Sequence, residues 1–210
     1  MLKKTPFLII PILILYSFIF MSWQDNLNVK NKIIPELIKE EALIALSHYP
    51  ELKETHIEFR FKESLNRSLM KAQPKFSTLF KNRKKREYII LMSRNFTLDG
   101  ISLDFETIPK NVLIGWLGHE LGHIMDYRER SSIDLTWFGI NYSLSGKHIR
   151  EAERTADTFA VRSGMRPYIL ETKKFILEHV ELSDKYKNRI KRLYLSPDEI
   201  LTIVEEKTTQ

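Results

Sequence analysis

Cysteine is absent from all 210 residues. This excludes disulfides, a thiolate-held metal and a lipid-modified N-terminal cysteine, and it leaves the compartment open. Internal repeats and low-complexity tracts are also missing, so the chain suits one compact domain behind its N-terminal segment. Glycine occurs only seven times, yet three of the seven fall within eight residues, at positions 115, 118 and 122. Neither charge is scarce. Hydrophobic residues make up 43% and charged residues 29%, ordinary values for a folded domain. The net charge of +6 favours anionic surfaces without arguing for nucleic acid.

Only one long uncharged run occurs, from Phe7 to Trp23, and Lys3 and Lys4 precede it. It reads as an export signal or a membrane anchor over residues 1–24. As a helix its 17 residues would span roughly 25 Å, just short of the ~30 Å hydrocarbon core. Phe20-Met21-Ser22 offers one small residue where cleavage needs two, which favours an uncleaved anchor. The lysines should stay inside, and residues 25–210 should form a domain outside the cytoplasm.

From there the pattern alternates between helix and strand periods. Pro35 opens an amphipathic helix through Leu37, Ile38, Ala42, Leu43, Ala45 and Leu46 to Ser47, with His48 and His56 as surface or capping histidines. Ile57 to Phe61 alternates strictly, as a half-buried strand does, and Ser68 to Gln73 reads as another strand ended by Pro74. Glu87 to Met92 is apolar enough for a central strand, and Ile101 to Phe105 suits a short edge strand after the Asp99-Gly100 turn. The basic run 81–86 reads as a solvated loop. Contact with anionic lipid head groups is the sharper alternative, whereas nucleic acid fits poorly because no aromatic residue interrupts the run to stack on bases.

Pro109 starts a helix predicted to reach Arg128, and the glycine row inside it predicts a closely packed second backbone. This helix carries Gly118-His119-Glu120-Leu121-Gly122-His123. Histidines four residues apart are separated by about 400°, so both imidazoles leave one face, with Glu120 about 60° from His123. In this H-E-x-x-H arrangement two neutral imidazoles hold a zinc ion, and the carboxylate can take a proton from the water that the ion activates. Residues 129–147 read as a linking segment whose Trp137, Phe138 and Tyr142 are core or covering residues.

A second helix, from Ile149 to Arg162 and ended by Gly164, shows an apolar stripe of Ile149, Ala152, Ala156, Phe159 and Ala160. Glu153 lies within about 60° of three members of that stripe, whereas Glu151 lies about 200° away. A carboxylate on a buried face needs a partner, and an ion held by His119 and His123 would supply one. Asp157, one turn on, could accept a hydrogen bond from a ligand histidine. Asp126, seven residues after His119, shares the histidine face and is a second candidate for third ligand.

His119-Glu120-Leu121-Gly122-His123 followed by Glu153-Arg154-Thr155-Ala156-Asp157 resembles the gluzincin metallopeptidases. It is closest to the Glu-x-x-Ala-Asp pattern of the CAAX-prenyl-peptidase and HtpX-like group and of the small minigluzincins. The resemblance covers roughly residues 85–165. It implies zinc on His119, His123 and Glu153, Glu120 as general base, and a small zincin-like α+β domain with a short mixed sheet and two site helices. The metzincin pattern does not fit, because Asp126 and Glu129 stand where it needs glycine and a third ligand.

The function expected is a zinc-dependent peptidase cleaving peptides or proteins outside the cytoplasm, associated with a membrane through residues 7–23. Tyr142 and His148 are the candidates nearest in sequence for oxyanion donor, while His179 reads as structural. Two other classes stay open. One is a non-catalytic zinc-binding adaptor, against which Glu120 speaks. The other is a peripheral membrane-binding domain built on the anchor and the basic run.

Overall fold

In a computed structural model the chain is a mixed α+β fold, with a small mixed sheet and several helices. It describes residues 30–208 except 66–67, 95, 99–100, 104 and 179–181. The expected signal or anchor at 1–24 and the histidine at 179 lie outside the described residues. Among those residues no helix is long and apolar enough to cross a membrane.

Strands β1 (Lys32–Ile33), β2 (Ile57–Lys62), β3 (Met70–Pro74) and β4 (Tyr88–Ser93) form one sheet in the order β1-β2-β4-β3. The first two pairings are parallel and β3 runs antiparallel to β4. Every residue of β4 is buried, in keeping with its apolar run and its place between two neighbours. Pro74 ends β3 at the sheet's edge, where a missing amide is tolerated. The expected edge strand at 101–105 is shorter. As β6 (Ile101–Leu103) it pairs, among the described residues, with β5 (Phe96–Leu98) in a separate two-stranded sheet.

Helix α1 (Lys39–Ser47) follows a 3-10 turn at Glu36–Ile38, so regular helix starts later than Pro35 suggests. His48 caps its end, and its Nδ1 lies 3.1 Å from the Ser163 carbonyl. Helix α2 (Lys110–Glu129) is buried continuously from Val112 to Ile124, so it runs through the core. Arg86 closes its C-terminal end. The guanidinium donates to the Tyr127 carbonyl at 3.0 Å and the Arg130 carbonyl at 3.2 Å, satisfying acceptors that the helix leaves open. Arg86 is therefore buried, and only residues 81–85 of the basic run are exposed.

The linking segment expected at 129–147 is instead helix α3 (Ser132–Leu144). Its start is a capping box: Ser131 accepts from the Asp134 amide, and the Asp134 side chain accepts from the Ser131 amide. Helix α4 (Gly146–Ala160) ends in a wide turn at Val161–Met165, where Gly164 takes φ +86°, and the chain re-enters helix as α5 (Arg166–Glu178). Helices α6 (Asp184–Leu193) and α7 (Pro197–Thr208) complete the fold.

The glycine row is where the other helices approach α2. A Cβ at Gly115 would lie 2.5 Å from the Tyr168 carbonyl oxygen of α5, and one at Gly122 would lie 2.3 Å from the Ala156 carbonyl oxygen of α4. Backbone contact at these points sets how far apart α2, α4 and α5 stand.

Candidate metal centre

His119 and His123 leave α2 one turn apart, and α4 crosses against that face at Gly122. The crossing brings Glu153 between the imidazoles. Its Oε2 lies 3.0 Å from His119 Nε2 and 3.6 Å from His123 Nε2. One ligand atom from each of the three lies within 4.8 Å of the others, and all three residues are buried, so together they could hold a metal ion. Asp126 is not in this group. Its carboxylate accepts from Arg130 Nε at 2.8 Å. Glu151 is exposed on the far side of α4, where His148 Nδ1 lies 3.1 Å from it.

His119 shows why a cation suits the group. Its Nδ1 faces Asp157 Oδ1 at 2.9 Å and its Nε2 faces Glu153 Oε2 at 3.0 Å. A neutral imidazole has one N–H, so it can donate to only one of these carboxylates. Either the ring carries two protons, or it donates from Nδ1 and turns the Nε2 lone pair to a metal. Burial alone would push its pKa down. The hydrogen bonds and charges of Asp157 and Glu153 outweigh burial and hold it up at about 10. Glu153 shows the reciprocal effect, as burial would raise its carboxyl but the two histidines hold it well below the ordinary value.

Asp157 is itself tied down. Its Oδ2 accepts from Lys173 Nζ at 2.8 Å and from the Leu195 amide at 3.0 Å. Lys173 is buried on α5, with its ammonium 4.0 Å from the centre of the Tyr194 ring. Two inward carboxylates on α4 thus meet two imidazoles and an ammonium, leaving no isolated buried charge. His123 lacks such an orienting partner. Its Nδ1 is buried without a hydrogen bond among the described residues, and its ring stacks on Tyr127 at 5.9 Å.

Glu120 stands beside the group. Its Oε2 accepts from the Ala72 amide on the open edge of β3 at 2.6 Å. Burial raises its carboxyl above the ordinary value, against the lowering fields of His123 and His119. Glu120, His119 and Glu153 line a cavity of about 510 Å³ whose wall also includes apolar residues such as Trp116, Ile169 and Ile190. Of the two hydroxyl or imidazole donors considered from sequence, Tyr142 lines this cavity and donates to Glu153 Oε1 at 2.7 Å. His148 does not line it.

Sequence reasoning missed Lys173, Tyr194 and the amides of Ala72 and Leu195. Lys173 had a readable signal, since it lies one turn from the buried Ile169 and so on the inward side of α5. The chain matches no protein-family model, no curated protein and no solved structure.

Proposed function

We propose that this protein is a zinc-dependent metallopeptidase of the gluzincin kind, acting on peptides or proteins outside the cytoplasm. The observation that supports the reading is the convergence of His119, His123 and Glu153 beside a cavity that His119, Glu153 and Glu120 line, with Glu120 outside the ligand group. Two imidazoles and one carboxylate form a donor set suited to catalytic zinc.

In this reading those three residues hold the ion, which when bound supplies a Lewis acid that acidifies water and polarises a scissile carbonyl. Glu120 takes the proton from the attacking water and delivers it to the leaving amine. Its raised pKa moves the carboxyl toward the operating pH, where a general base works best. Asp157 accepts from His119 Nδ1 and so leaves Nε2 free as a lone pair. Tyr142, which lines the cavity, would turn its hydroxyl from Glu153 to meet charge developing on the carbonyl oxygen.

Glu120→Gln separates this enzyme from a metal-held scaffold. The variant keeps shape and hydrogen bonding but loses the basic carboxylate, so it should retain zinc and fold while hydrolysis falls by roughly 10²–10⁴. The proposal fails if Glu120→Gln cleaves as fast as the parent. It fails equally if the zinc-loaded parent cleaves nothing across a broad peptide library.

A further inference from the structure

Helix α3 turns part of its apolar surface to solvent. Ile133, Trp137 and Ile140 are 69%, 60% and 44% exposed. Their spacing of four and seven residues puts them within about 60° of one another around the helix. Leu135, on another face, is buried, so the helix is held to the domain by one side and bare on the other. Beside its first turn lies the 3-10 turn Phe76–Thr78, where Phe76 opens the turn and Phe80 follows it, 82% and 72% exposed. The two segments are tied together, because Ser132 Oγ donates to the Leu79 carbonyl at 2.7 Å. Five large apolar side chains on two joined segments are more than the scattered exposure a soluble surface tolerates.

The basic run adjoins the same place. Arg86 reaches Ser132 Oγ at 3.1 Å, which puts residues 81–85 next to the start of α3. Lys81, Arg83, Lys84 and Lys85 are all exposed, and none forms a salt bridge among the described residues. Asp134, whose carboxylate feels the charge of Arg83, is engaged in the Ser131 capping box.

We propose that this face, made of Ile133, Trp137, Ile140, Phe76 and Phe80 and bordered by Lys81, Arg83, Lys84 and Lys85, docks the domain onto an anionic lipid bilayer. Isoleucines and a tryptophan on one helical stripe can enter the acyl boundary, while adjacent cations meet phosphate head groups. Trp137, Phe76 and Phe80 offer rings on which bases could stack, but Ile133 and Ile140 on the same stripe do not and gain only from an apolar phase, which favours the bilayer over nucleic acid. The proposal goes beyond the peptidase reading and stands without it.

The absence of cysteine gives a clean background for the test. In the full chain, Ile133→Cys and, separately, Leu201→Cys on α7 are labelled with an environment-sensitive fluorophore. Each is read on neutral phosphatidylcholine vesicles and on vesicles containing phosphatidylglycerol. Residues 7–23 are present in every sample, so a difference between labels belongs to the docking face.

The label at 133 should shift to the blue and be quenched by lipid-borne quenchers on the anionic vesicles only, while the label at 201 should not respond. Replacing Lys81, Arg83, Lys84 and Lys85 by Gln should weaken the docked state by on the order of 10²–10³, roughly fivefold for each cation. Any of three results overturns the proposal. The first is no shift at 133, or the same shift on neutral vesicles. The second is an equal response at 201. The third is a label at 133 already sheltered before lipid is added, which would mean that the chain's own apolar segment, or a second copy if the signal grows with concentration, covers the face.

Discussion

Replacing Gly122 by alanine tests whether the metal group is set by helix packing. The added Cβ would meet the Ala156 carbonyl oxygen at 2.3 Å, its carbon at 3.0 Å and its Cα at 3.2 Å. Ordinary contact begins at 3.4 Å, so α4 must retreat from α2 by about 1 Å. The obstacle is backbone on both sides, so no side chain can swing away. Overpacking of this kind costs about 1–3 kcal/mol, and alanine returns about 1 kcal/mol through its better helix propensity. A net loss near 1 kcal/mol should lower Tm by roughly 2–4 °C in a chain of this size.

The effect on metal should be larger in proportion, because His119 and His123 ride on α2 and Glu153 on α4. Metal–ligand distances tolerate about 0.2 Å, so a shift of about 1 Å should reduce affinity at least tenfold. Calorimetry with and without chelator gives the first quantity, and competition with a chromophoric chelator gives the second. A variant that melts within about 1 °C of the parent and binds metal within about twofold would refute the packing argument.

Gly139→Ala is the counterpart on α3. A Cβ there meets nothing within 4 Å, so the change should stabilise by about 0.5–1 kcal/mol in denaturant unfolding. Glu153→Ala should abolish tight metal binding while Glu151→Ala keeps it, and chelator competition on both would expose an error in the helix-face assignment if the order reversed. The Arg154–Glu199 pair should make stability fall with acid. The Arg154 hydrogen bond holds the Glu199 carboxyl down to about 2 from an ordinary 4.5, so its contribution is intact above pH 4.5 and lost as pH falls toward 2. Thermal melts of Glu199→Gln between those limits should therefore lack part of the parent's acid dependence.

Much of this arrangement is written in periodicity. Strict alternation marks β2 from Ile57, unbroken apolar character marks the buried β4, and helical arithmetic separates inward Glu153 from outward Glu151. Helix α3 is harder to read because Trp137 and Phe138 give its stretch an apolar look without an obvious buried stripe. Its capping box at Ser131 and Asp134 was the better signal. Arg86 hides within a run of like charges, and only the position of the α2 carbonyls distinguishes it from its exposed neighbours. The Ala72 and Leu195 amides have no signature in sequence, since every residue but proline carries one. Their roles come from where the chain places an edge strand and an inter-helix turn.

That inter-helix turn has a consequence for the far end of the chain. Leu195 sits between α6 and α7, and its amide holds the same Asp157 that orients His119. The ring of Tyr194 covers Lys173, the remaining partner of Asp157. Any ion held by His119, His123 and Glu153 would therefore be linked to C-terminal order: binding it would favour the Leu195–Asp157 contact, and releasing that contact would weaken the ion in the same measure.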